Sequence, residues 1–197
     1  MWNHNSHYHD HLLTQLPPQI DRALDIGCGL GVFALKLASK AQIIDAVDTE
    51  AKIIQEALRI HDAPNIRYQC VDFIHAELPQ NSYDAIVSIA SLHHMDLEIA
   101  LTKIRTLLRP SGKLLILGLY KETTVTDYLY SAVSVPLNYI YLKRDRKNSS
   151  TTQKAPTQNA TLSLEQIKSI ANSIIPSNKI QRHLFWRYSL IWKKPIS

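Results

Sequence analysis

The stretch ALDIGCGLGVFALKLA at residues 23–38 constrains the fold more than any other. An apolar run passes through Asp25, glycines stand at Gly27, Gly29 and Gly31, and a segment of helical period begins at once. Glycines at the carboxyl end of a strand allow a tight turn and let the backbone approach a ligand closely. A strand feeding a helix through such a turn is half of a βαβ unit, so a parallel sheet follows. The spacing is not that of the dinucleotide loop G-x-G-x-x-G. The third glycine falls where that pattern is variable, and Val32 stands where its last glycine belongs, which disfavours a nicotinamide dehydrogenase. Asp25 suits a ligand with ammonium and sulfonium charges better than one with two phosphates.

The same alternation continues along the chain. Residues 22–27, 42–48, 66–72, 83–90 and 112–120 read as strands, and 31–40, 49–63 and 97–108 as the helices between them. Leu97, Ala100, Leu101, Ile104, Leu107 and Leu108 share one helical face, and Pro110 and Gly112 punctuate the turn that follows. After Tyr120 the rhythm breaks. Residues 121–142 are aromatic and apolar, and 143–161 are polar and expected to be mobile. Ser163 and Gln166 have capping-box spacing ahead of the stripe Ile167, Ile170, Ala171, Ile174 and Ile175. Residues 179–195 read as two antiparallel strands meeting near Phe185–Arg187, with Trp186 in the core.

These elements make one domain over residues 1–197, with a segment 1–20 ahead of the first strand and an insertion at 121–162. An apolar content of 45% and a charged content of 20% are those of an ordinary soluble globular chain. The net charge of +5 permits an anionic partner without demanding one. Cys28 and Cys70 read as reduced thiols, and the first residues do not form a basic-then-apolar leader, so a cytoplasmic location is expected.

Two more acids close strands. Asp48, followed by Thr49, lies about twenty residues past the first glycine, where nucleotide-binding folds receive ribose hydroxyls. Asp72 can accept from an exocyclic amine while the ring of Phe73 covers a base. Singly each is a strand-end cap; three at successive strand ends point to a ligand. The run Asp25–Gly31, the acid in AVDTE, the VDF triplet, YDAIVSIASLHHM and LLRPSGKLLI together resemble class I S-adenosylmethionine-dependent methyltransferases. The likeness covers residues 20–120 and is greatest to the small-molecule branch grouped with quinone-biosynthesis enzymes. It implies a Rossmann-like α/β fold with a seven-stranded sheet of order 3-2-1-4-5-7-6, strand 7 antiparallel, and a lid between strands 5 and 6. It implies S-adenosylmethionine held by Asp25, Gly27, Gly29, Gly31, Asp48, Thr49, Asp72, Phe73 and Ala90. It also implies that the segment before strand 1 closes over the methionine end, through Asn5, His7 and Tyr8. Residues 110–112 read PSG where relatives usually have Pro-Gly-Gly.

The opening MWNHNSHYHDHLL carries His4, His7, His9 and His11, too interrupted for a tag. His4, His7 and His11 would share a helix face, as metal ligands can, but no cysteine or carboxylate pair completes a site, and methyl transfer needs no metal. An active-site lip or a merely ordered polar terminus are the other readings. For the acceptor, His93 and His94 lie just past strand 4, where an imidazole can serve as base or simply cap and pack. Tyr120 and Tyr128 are expected to line a pocket for an apolar or aromatic acceptor, and Arg187 to meet an acceptor anion. The sequence after strand 4, SIASLHHM, lacks the Asn/Asp-Pro-Pro-Tyr/Phe of amino-group base methyltransferases, and neither cysteine sits beside proline as in cytosine-C5 enzymes. The rivals are an RNA or protein methyltransferase and a cofactor-binding protein without catalysis. The KRDRK run at 143–147 suits peripheral contact with an anionic membrane.

Overall fold

In a computed structural model of the chain, residues 6–128, 130, 132, 134 and 160–196 are described. Asn5, His4, Tyr139, Tyr141 and the KRDRK run lie outside them. The elements run α1 (Ser6–Thr14), β1 (Ile20–Ile26), α2 (Val32–Leu37), β2 (Ala41–Asp48), α3 (Ala51–Ile60), β3 (Ile66–Cys70) and β4 (Tyr83–Ile89). After a 3-10 turn (Leu92–His94) come α4 (Leu97–Leu107), β5 (Leu108–Leu119), α5 (Leu164–Ile174), β6 (Lys179–Arg182) and β7 (Arg187–Lys193).

The seven strands form one sheet of order β3-β2-β1-β4-β5-β7-β6. The first five are parallel, and β7 runs antiparallel to both β5 and β6. The central strands β1 and β4 are each buried over four consecutive positions because helices cover both faces, and all but Asp25 and Ser88 of these are apolar. One face is closed by α4 and α5, through Leu101, Ile104, Leu107, Ile167 and Ala171. The other is closed by α1 and α2, through Leu12, Phe33 and Leu37, with Leu16 just past α1. Burying a side chain such as Leu12, which is 0% exposed, contributes about 2 kcal/mol.

Local signals set the ends of the elements. Asp96 caps α4 by accepting the Ile99 N–H, and Ser163 with Gln166 forms a reciprocal capping box on α5. One boundary departs from expectation. Strand β5 begins at Leu108, because Leu108 pairs with Tyr83 before the register jumps to Ala85 opposite Lys113. Pro110–Gly112 is therefore a bulge inside β5 rather than the turn ahead of it. Ser111 there adopts φ 64°, the left-handed region that glycine occupies without strain.

All three acid-ended strands, β1, β2 and β3, deliver their carboxyl termini to one edge of the sheet, and β4 and β5 end there too. The β6–β7 turn lies at the same edge, since Arg187 pairs with Leu119 at the end of β5. Among the described residues no helix is long and apolar enough to cross a membrane.

Candidate active site

Gly27, Gly29 and Gly31 all have positive φ, but they differ in what they face. A methyl group on Gly27 would collide with the Ser91 side chain, and one on Gly31 with the Tyr68 ring. Those two glycines serve the protein's own packing. Gly29 alone has nothing within 4 Å of an added Cβ, so its bare backbone faces open space. The loop is buttressed from behind. His61 Nδ1–H donates to the Leu30 carbonyl at 2.7 Å, and Tyr68 Oη–H donates to the His61 carbonyl at 3.1 Å. Neither residue is marked in the sequence, because both act through backbone contacts that no spacing rule encodes.

The acids sit around this loop. Asp48 accepts the Gly29 N–H on one oxygen at 2.9 Å and the Glu50 N–H on the other at 3.1 Å, so it holds the loop as well as facing the site. Asp25 is 1% exposed and lies beneath the loop. Burial, and then the neighbouring Asp48 charge, push its carboxyl up to about 7, against an opposing hydrogen bond from the Ala34 N–H. Its second oxygen has no partner among the described residues, although it is buried. Such an orphaned acceptor favours positive charge nearby. Open space before Gly29, a carboxylate on the loop and a buried acid behind it fit a cationic nucleoside.

Asp72 accepts from the Ile74 N–H at 2.9 Å and from His75 Nδ1 at 2.6 Å. The His75 bond, with the Ile74 bond second, holds it below the usual carboxylate range. The expectation for Phe73 is corrected. Its ring is 1% exposed, packed in the core beneath Lys103, whose Nζ lies 5.3 Å from the ring centroid. It has no face to lay over a base and instead backs the wall. Thr49 is exposed at the end of β2, and Ala90 turns the chain out of β4 with φ 53°.

On the other side of the edge, the Leu92–His94 turn stacks His93 and His94 with ring centroids 4.0 Å apart. Burial, the His94 charge and then Arg187 push His93 down to about 4, so it is neutral at pH 7. Its Nδ1 is buried without a hydrogen-bond partner among the described residues. Arg187 is 8% exposed, and its Nη1 donates to the Phe185 carbonyl at 3.1 Å. Burial lowers it to about 10, still charged.

The N-terminal segment reaches this edge. Tyr8 Oη donates to the Leu184 carbonyl at 3.2 Å, and His7 meets the Phe185 ring edge-on at 6.1 Å. His9 is buried against Phe33, 5.0 Å between ring centroids, and burial pushes it down to about 4. Among the described residues no three His, Cys, Asp or Glu side chains could hold a metal ion. The β6–β7 turn it touches is strained: Phe185 and Trp186 have φ 60° and 59°, unusual for aromatic residues. Trp186 is half-buried in that turn, not in the core as expected. Tyr120 is buried with the Arg182 guanidinium 5.7 Å from its ring centroid, so it is a wall rather than a contact surface. Tyr128 is 60% exposed. Arg182 also pairs with the buried Asp127 at 2.8 Å, tying the start of the insertion to β6.

The sheet order, the glycine loop and the strand-end acids define a class I methyltransferase fold. A family profile described as a methyltransferase domain matches residues 24–116. The chain is 31% identical to an uncharacterized methyltransferase of Mycobacterium tuberculosis over 99% of this chain and 98% of that one. It is 28% identical over 113 residues to a ubiquinone biosynthesis O-methyltransferase of Xanthomonas axonopodis, covering 54% of this chain and 46% of that protein. Among solved structures, phosphoethanolamine N-methyltransferase 2 of Haemonchus contortus superimposes with a TM-score of 0.67 at 19% identity, over 96% of this chain and 52% of that one. The N-methyltransferase NodS of Bradyrhizobium japonicum gives 0.65 at 15% identity, over 96% of each chain. The chain belongs to the S-adenosylmethionine-dependent methyltransferase family. Its cofactor is S-adenosylmethionine.

Proposed function

We propose that this enzyme methylates a small-molecule acceptor held at the carboxyl edge between the Leu92–His94 turn, α1 and the β6–β7 turn. One observation carries the reading: the Tyr8 hydroxyl donates to the Leu184 carbonyl and Arg187 pairs with Leu119, which brings α1 and the β6–β7 turn to the carboxyl edge where the glycine loop also lies. When bound, S-adenosylmethionine supplies an electrophilic methyl group on a sulfonium. The chain's own residues bind, align and exclude water. Gly29 lets the backbone approach the cofactor, Asp48 receives the ribose hydroxyls, and Asp72 takes the exocyclic amine. Asp25 offsets positive charge from behind the loop. The domain is a single unit whose N-terminal helix forms the lip over the site, through Tyr8 and His7. His93 is neutral at physiological pH and orients the acceptor through Nδ1. Its weak basicity makes it a poor proton acceptor.

Calorimetric titration with S-adenosylhomocysteine, with NAD as control, tests the class of ligand. Binding of the former alone is expected; binding of NAD instead overturns the cofactor placement. His93→Ala and His94→Ala are expected to keep S-adenosylhomocysteine affinity within about twofold while turnover falls, because they serve the acceptor. Loss of cofactor affinity in both would move them to the cofactor side.

A further inference from the structure

The β6–β7 turn seats two segments that lie far apart in the sequence, through Arg182, His183, Leu184 and Phe185. His183 and Leu184 serve α1. The Tyr8 and His183 ring centroids are 4.9 Å apart, and the Tyr8 hydroxyl donates to the Leu184 carbonyl at 3.2 Å. Arg182 and Phe185 serve the insertion after β5. The Arg182 guanidinium pairs with Asp127 at 2.8 Å and lies 5.4 Å from the Tyr130 ring centroid. The Phe185 N–H donates to Ser134 Oγ at 2.9 Å. Residues 125–128, 130, 132 and 134 are helical, so Asp127, Tyr130 and Ser134 share one helix face.

The Leu184 carbonyl and the Phe185 N–H belong to one planar peptide group and point to opposite sides of it. The contact to α1 and the contact to the insertion are therefore made by one rigid plate. The bonds also run head to tail. Tyr8 donates to the Leu184 carbonyl, the Phe185 N–H donates to Ser134, and the Ser134 hydroxyl donates to the Tyr130 carbonyl at 2.7 Å. Bonds in such a chain polarise and strengthen one another. Phe185 holds the plate in this orientation at φ 60°, a left-handed value that strains an aromatic residue and persists only where its surroundings fix it. Ser134 and Phe185 are each 1% exposed. If the Phe185 N–H loses its serine acceptor, a buried donor is left to be satisfied. Turning the plate to recover a partner carries the Leu184 carbonyl away from Tyr8.

We infer that Ser134 is a positioning residue for α1, acting through the Leu184–Phe185 peptide, so that the insertion and the N-terminal helix engage S-adenosylmethionine as one unit. The inference rests on the reading of α1 as the lip over the cofactor. Among the described residues Ser134 makes no hydrogen bond to α1 itself, so its influence there passes through the turn. The coupling is reciprocal. A cofactor that holds α1 down thereby also steadies the start of the insertion.

The test uses the full chain with Ser134→Ala, Ser134→Thr and Tyr8→Phe, hydrogen exchange read segment by segment, and calorimetric titration with S-adenosylhomocysteine. Without ligand, Ser134→Ala is expected to speed exchange of the α1 amides at least about threefold while β1 and β4 stay unchanged. Tyr8→Phe is expected to do the same to the helical residues after Thr124. Ser134→Thr, whose hydroxyl can reach the same carbonyl one turn back, is expected to stay near wild type. Ser134→Ala and Tyr8→Phe are each expected to weaken S-adenosylhomocysteine binding about threefold to tenfold. The double variant is expected to fall well short of the product of those effects, because either change breaks the same chain. Should Ser134→Ala fail to fold, Tyr8→Phe reads the coupling from the other side. Unchanged α1 exchange in a folded Ser134→Ala protein, or single effects that multiply in the double variant, overturns the inference. Faster α1 exchange with unchanged S-adenosylhomocysteine affinity upholds the coupling and overturns the lip reading beneath it instead.

Discussion

At the scale of single residues, the site is built from groups with two duties. Asp48 accepts two backbone N–H groups, from Gly29 and Glu50, and the ribose role proposed for it would fall to the same carboxylate. Asp48→Ala is expected to weaken S-adenosylhomocysteine binding by about 1–3 kcal/mol, through lost charge-assisted bonds and a loosened loop. Asp48→Asn keeps an acceptor for one N–H and should recover part of that loss. Equal affinity in wild type and Asp48→Ala by calorimetry would refute the placement of the ribose. The sequence shows the acid and its position, but not that the same carboxylate holds the glycine loop. Phe73 shows the opposite case. An aromatic residue beside a ligand-end acid reads as a stacking surface, yet the core claimed its ring because α4 and Lys103 cover that side of the sheet.

At the scale of elements, the strands were legible because short apolar runs alternate with segments of helical period, whereas their order came only from the resemblance to a known family. The glycine loop was legible because positive φ has a glycine signature. The features that were not legible are backbone choices made by residues other than glycine. Phe185 and Trp186 turn a hairpin with left-handed φ values that turn rules assign to Asn-Gly, and α1 is a polar segment held by Leu12, Leu16 and the buried His9. Tertiary contacts, not local propensity, fix both. The β5 bulge allows a direct measurement. Ser111 sits at φ 64° with its N–H donated to the Lys194 carbonyl at 3.0 Å, a bond glycine would keep. Ser111→Gly is expected to stabilise the fold by about 0.5–1 kcal/mol, because relief of left-handed strain exceeds glycine's extra chain entropy. A lowered midpoint in urea would show that the serine side chain earns its place.

At the scale of the whole molecule, buried titratable groups set the acid response. His9 and His93 are held at about 4 against 6.5 for an unperturbed imidazole, so between those values the unfolded chain takes up protons that the folded chain refuses. Their contribution to stability is present above about pH 6.5 and is lost as the pH falls toward 4. Asp25 works against them. Its carboxyl, raised to about 7, keeps a proton that the unfolded chain releases above about pH 4, so its contribution declines as the pH rises across that window. With two imidazoles against one carboxyl, the melting temperature is expected to fall on acidification from pH 7 to 4.5. His9→Leu should flatten that fall and Asp25→Asn should steepen it, as read by thermal melts across the range. A wild-type melting temperature that is constant or rises on acidification would refute the balance.

The hydrogen bond from Tyr8 to the Leu184 carbonyl joins positions near opposite ends of the described chain. During synthesis the glycine loop and its acids leave the ribosome early, and β1 to β5 can pair as they emerge. Strand β7 must then insert between β5 and β6, which leaves Tyr8 without its Leu184 acceptor until that hairpin is in place. Arg187 arrives with the same strand. The nascent chain thus completes its glycine loop before the hairpin that seats the N-terminal helix exists.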